Sequence, residues 1–213
     1  MKSQISLIPV IEFPTVKDAE SRQTPTGTSW TNPEEWEMYY KRELAKNYSS
    51  VYEPIAPGSF QYRLFDLDLK VLQELIDLHT ADLPLQESCA FFGGYVLVVD
   101  GQNTLYPQCC GLLSEIQDWQ KLLQPSFEPF YLMEQHPSPR FELHDKEIHI
   151  ISRDDFEPFV PITQEKLVLG CTELQQAVLR LVQELEEFSR KMDSTFAKKY
   201  GVSSIAEILL WRE

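Results

Sequence analysis

Glycine is scarce in this chain, with eight among 213 residues. A phosphate-cradling loop needs clustered glycines ahead of a helix and a Lys-Ser/Thr pair. The one adjacent pair, Gly93-Gly94, lies inside an apolar run instead. That placement excludes a nucleotide loop and predicts a bulge or a close backbone approach. Strong bases are also few: 19 against 33 acids, a net charge of −14 and a pI near 4.7. Nucleic acid is disfavoured as a ligand, because phosphate binding needs a basic patch. An anionic membrane surface is disfavoured for the same reason. No apolar run approaches the roughly 18 residues that span a bilayer, and the longest lies near Tyr95–Val99. At the N-terminus Pro9 and Glu12 interrupt a short apolar stretch before it reaches signal-peptide length. A cytoplasmic protein is the expectation.

Metal and catalytic signatures are missing as well. There is no C-x-x-C or H-x-x-x-H spacing, no G-x-S-x-G, no H-E-x-x-H and no EF-hand loop. No cofactor is expected. The four cysteines are Cys89, Cys109, Cys110 and Cys171. Most simply they are reduced thiols acting as small core hydrophobes. The alternative is a thiol nucleophile at Cys109 or Cys110, its pKa lowered by a helix start near Ser114.

What is present is a folding chain: hydrophobic residues make up 43% and aromatics 12%, which is incompatible with disorder. Residues 5–13 read as a strand, and 17–31, rich in Thr, Ser, Gly and Pro, predict a mobile loop. Asn32-Pro33-Glu34-Glu35 starts a helix to about Asn47, with Asn32 as cap. Its Trp36, Tyr39, Tyr40 and Leu44 read as a stripe docked on the core, or less simply as a stacking surface. Asp68 opens a second helix that stops near Thr80. Residues 91–99 and 104–106 form strands around an Asp100-Gly101 turn, and Ser114 with Gln117 fits a capping box. Strands follow over 127–133, 140–144 and 147–152. The Phe-Glu-Pro-Phe tetrapeptides at 127–130 and 156–159 read as two strand starts with an edge proline. The longest helix starts at 170–172 and runs to Tyr200. Its apolar residues Leu174, Val178, Leu181, Leu185, Phe188, Met192 and Phe196 make it amphipathic. Together these elements predict one α+β domain over 1–213 with a largely antiparallel mixed sheet. The long helix could pair with a second copy, giving a homo-oligomer.

Two features point to function. If Asp145-Lys146 turn a hairpin, Phe141, Leu143, Ile148 and Ile150 share the core face. Glu142, His144, Glu147 and His149 then share the other. Two imidazoles and two carboxylates in that arrangement could bind a divalent metal or run acid–base chemistry; the plain alternative is a charged, solvated sheet face. The second feature is charge. Residues 64–120 hold nine acids and a single strong base, Lys70. Among them Asp66, Asp68, Glu74, Asp77, Asp82 and Glu87 are candidates for contacting a basic protein partner. Helix capping and solubility are their other explanation.

The order of a helix over 72–82, Leu83-Pro84, a hydrophobic stretch, Gly93-Gly94 and a helix start over 114–119 loosely resembles the SUKH-type bacterial immunity proteins. These are α+β domains that bind and neutralise toxins, often nucleases. The likeness implies a protein-binding role and assigns no residue. The leading expectation is therefore a non-enzymatic acidic module of the immunity or inhibitor type; the alternative is a metal-dependent or acid–base enzyme built on the 140–151 hairpin.

Overall fold

The structure is a computed structural model, and it describes residues 3–14, 24–161 and 164–212. The expected loop at 17–31 lies partly outside these residues, and its described part, 24–31, holds turns without regular structure.

The chain forms an α+β fold with two antiparallel sheets. The first has the order β2-β1-β3-β4, from β1 (Ile5–Glu12), β2 (Gln61–Arg63), β3 (Gly93–Val99) and β4 (Gln102–Leu105). The second runs β5-β6-β7-β8, from β5 (Phe130–Tyr131), β6 (Arg140–His144), β7 (Glu147–Ile151) and β8 (Lys166–Gly170). The helices are α1 (Pro33–Asn47), α2 (Leu69–His79), α3 (Ile116–Lys121) and α4 (Cys171–Met192). α4 continues through a π-turn, Asp193–Ala197, to Tyr200. One core joins the two sheets. Ile11, Leu97 and Leu113 from the first half meet Phe141, Ile148 and Ile150 from the second, with Leu174, Val178, Leu181 and Leu185 of α4 between them.

Local chemistry explains most of these elements. Asp68 caps α2 by accepting from the amides of Lys70 and Val71. Asp100 and Gly101, both at positive φ, turn β3 into β4. Gly93 is required by a close approach: at φ 148°, an added Cβ would stand 2.1 Å from the Val10 carbonyl oxygen.

Several sequence expectations are corrected. Pro33, Glu34 and Glu35 occupy the first turn of α1, but Asn32 makes no side-chain cap. Ser114 does not cap either. Its segment first makes a tight turn over Leu113–Glu115 that buries the hydroxyl without a partner. β8 was not foreseen; its alternation is short and abuts the helix directly. The first Phe-Glu-Pro-Phe leads into edge strand β5, whereas the second lies in an irregular segment.

Alternation also places one acid in an unusual position. In β1, Ile5, Leu7 and Ile11 face the shared core. Val10 faces the other side, packed with Val96 and Val98 under Ile55 and Tyr106. Glu12, the last residue of β1, falls on the Val10 side, where α1 covers it.

Candidate functional site

The hairpin forms in the expected register. Glu142 faces His149, Leu143 faces Ile148 and His144 faces Glu147, across a two-residue turn whose Asp145 has φ 54°. Phe141, Ile148 and Ile150 are buried and hold the register. On the opposite face the His144 and His149 rings stack at 4.0 Å and 20°. His144 Nε2 bonds Glu142 Oε2 at 2.9 Å, and Arg140 reaches the other Glu142 oxygen at 3.1 Å. The His144 hydrogen bond, with the Arg140 charge adding to it, holds the Glu142 carboxyl below its usual range. Ligand atoms of Glu142, His144 and His149 lie within 4.8 Å of one another. Glu147 stands aside, 3.7 Å from His149 Nε2. A tetrahedral zinc ion spaces its nitrogen and oxygen ligands by roughly 3.4 Å. The His144 Nε2 and Glu142 Oε2 atoms, 2.9 Å apart, would open by about half an ångström to share one. His149 Nδ1 is buried with no partner among the described residues and is the ligand atom left open.

The six acids proposed for partner contact divide into two groups. Asp68 caps α2 and accepts from Tyr52 Oη at 2.9 Å, which holds its carboxyl below the ordinary range. Glu74 accepts from the Ser49 amide and hydroxyl, tying the 48–53 segment to α2. Asp77 accepts from Tyr200 Oη and Lys199, tying α2 to the end of the long helix. Asp66, Asp82 and Glu87 are exposed and make no side-chain hydrogen bond or ion pair among the described residues. They sit beside exposed apolar side chains: Phe65 and Leu69 at one end of α2, Leu83 and Phe92 beyond the other.

All four cysteines are free thiols, as expected, but only Cys171 packs against the core; Cys89, Cys109 and Cys110 are exposed. The Cys109 thiol is pushed up, first by Cys110 and then by burial, with Glu12 and Glu157 adding to it. This is opposite to thiolate activation. Cys110 adopts φ 65°, and the two sulfurs stand 3.4 Å apart. His136 joins them within 4.8 Å, and its Nδ1 is bonded to Glu157 at 3.0 Å. The trio comes from two segments joined by an isolated bridge between Cys109 and His136 and by the Gln108 amide donating to Gln135 Oε1 at 2.9 Å.

A fourth arrangement escaped the sequence. Glu12 lines a cavity of about 190 Å³ with Phe13, Tyr39, Tyr40, Glu43, Leu44, Phe60 and Tyr62. Tyr39 and Tyr40 meet at 5.7 Å and 66°, and Tyr40 meets Phe60 at 5.8 Å and 54°. Trp36 packs behind both tyrosines. The aromatic residues of α1 are thus half-buried around a cavity; only Leu44 of the expected stripe enters the shared core. Glu12 Oε1 accepts one long bond, 3.3 Å from Gln61 Nε2. No base pairs with it among the described residues. Burial raises its pKa from 4.5 to about 7, against a small lowering by Gln61. The signal that could have found it is a lone acid ending an apolar strand, in a chain with an aromatic-rich helix.

No helix among the described residues is long and apolar enough to cross a membrane. No protein-family model, curated protein or solved structure matches the chain.

Proposed function

We propose that this chain is a non-enzymatic binding module whose acidic surface receives a basic protein partner, in the manner of an inhibitor or immunity protein. The observation that carries the reading is the group Asp66, Asp82 and Glu87. These carboxylates are exposed without internal cations and interleave with exposed Phe65, Leu69, Leu83 and Phe92. Unpaired charge beside solvent-facing apolar area suits a partner that brings lysines or arginines among apolar side chains. Charge would steer the encounter, and apolar burial would hold the complex. A triple reversal, Asp66→Lys, Asp82→Lys and Glu87→Lys, should weaken binding to a basic, leucine-containing peptide at least tenfold. The matched reversal of Glu184, Glu186 and Glu187 on α4 should weaken it far less. Equal losses would show that only net charge matters and would sink the reading.

The convergence of Glu142, His144 and His149 within 4.8 Å favours a second reading, a divalent transition-metal site on the hairpin. Zinc should then raise the melting temperature of the wild type and not of His149→Ala. An unchanged melting temperature in both would remove it.

A further inference from the structure

We propose that the cavity between β1, α1 and β2 is a receptor for an alkylammonium group, with the Glu12 carboxylate facing the charge and Tyr39, Tyr40, Phe60 and Tyr62 walling the stem. The cavity is about 190 Å³, below the ~300 Å³ of a drug-sized site. It therefore admits one side-chain-sized group.

Two features select a cation. The first is the carboxylate. Glu12 is drawn into an apolar setting with a single long hydrogen bond to Gln61. Nearby bases are engaged elsewhere: Lys41 pairs with Glu37 and Glu53, and Arg42 and Lys46 both pair with Glu43. A buried anion without a partner is unfavourable until a cation reaches it or it takes up a proton. The second feature is the rings. Their mutual angles of 54° and 66° make walls and not a flat stack. Aromatic faces attract cations, more strongly where water is excluded. Arg42 already lies over the Tyr39 ring at 5.4 Å, an instance of this attraction at the cavity's edge.

The source of the ammonium rests on the docking reading above: a lysine side chain of the basic partner. The cavity adjoins the acidic end of α2. Phe13, on its wall, stacks on Tyr52 at 6.3 Å and 11°, and Tyr52 Oη bonds Asp68. A partner lying along α2 could thus place one lysine in the cavity.

Occupancy should also depend on pH, because the carboxylate form binds the cation. The other ionisable groups facing Glu12 are Tyr39, Tyr40 and Glu43 on α1, Tyr62 on β2 and the Cys109 thiol beyond β4. Glu43 is held ionised by Lys46 and Arg42. Burial pushes the Tyr40 hydroxyl up to about 12 and Tyr62 higher still, and Cys109 is also raised. Glu12 is therefore the group that titrates near neutrality.

The test uses the full chain, with n-butylammonium and n-butanol titrated at constant ionic strength. Fluorescence of Trp36, which packs on Tyr39 and Tyr40, is the readout, assigned by its loss in Trp36→Phe. Butylammonium should bind at least tenfold tighter than butanol, and tighter still as pH rises from 6 to 8. Glu12→Gln should abolish both the preference and the pH dependence. Tyr40→Leu should weaken binding several-fold and keep the pH dependence. Equal affinity for amine and alcohol, or an unchanged preference in a folded Glu12→Gln, would overturn the proposal. A lysine-rich peptide that binds no tighter than butylammonium would leave the cavity's chemistry standing and remove the docking reading.

Discussion

Two carboxylates one sheet apart, Glu142 on β6 and Glu12 on β1, have opposite environments. Glu142 lies on a hairpin face with Arg140 and His144 on its two oxygens, and its pKa is lowered. Glu12 lies among aromatic rings with one amide donor, and its pKa is raised to about 7. The difference separates a finished electrostatic network from an open one. Where donors of the same chain already engage both oxygens of an acid, the acid is explained by the fold. Where burial has thinned the water and no cation among the described residues stands by, the acid is left to act on something from outside.

The comparison can be sharpened in order of expected effect. The hairpin should depend on its core face far more than on its polar face. Phe141 is fully buried, stacks on Phe130 at 5.1 Å and meets Trp119 edge-on. Phe141→Ala should cost about 3–5 kcal/mol in urea unfolding. Next comes Glu12. A folded pKa above the unfolded value of 4.5 means its stabilisation is complete below pH 4.5 and is lost as pH rises through about 7. Glu12→Gln should thus raise stability at pH 8 by roughly 3 kcal/mol, with little change at pH 4.5. A destabilised variant at pH 8 would mean that Glu12 has an internal partner. Within the acidic group, Asp68→Ala should cost about 1 kcal/mol through the lost cap, whereas exposed Asp82→Ala should stay within about 0.5 kcal/mol. The smallest effect belongs to Glu142. Its lowered pKa gives stability present above pH 4.5 and lost below it, as its own carboxyl protonates. Glu142→Gln should lose less than about 1 kcal/mol at neutral pH, opposite in sign to Glu12→Gln.

These regions also differ in how much of them could be read from residues alone. The hairpin was legible because its determinants are local. A two-residue turn and a period-2 pattern fix every cross-strand pair from Glu142–His149 to His144–Glu147. The same holds for α2, whose Asp68 cap precedes its apolar face, and for α4, whose apolar spacing marks the core. Convergence between distant segments was not legible. Glu12, Tyr40 and Phe60 are brought together by β1 pairing with β2 while α1 side chains line the same cavity. Cys109 and His136 meet through one isolated bridge. No spacing in the chain encodes either meeting. The acidic stretch was legible as charge, but not in its division between Asp68, Glu74 and Asp77, which brace the fold, and Asp66, Asp82 and Glu87, which do not.

The most direct test is an amide-shift titration of the isotope-labelled chain with a peptide that alternates lysine and leucine. Binding of a basic partner along α2 and into the Glu12 cavity predicts perturbations concentrated on residues 65–92 and on Glu12, Tyr39 and Tyr40, fading as salt rises. Shifts spread evenly over the acids of α1 and α4, or confined to the 140–151 hairpin, would contradict it.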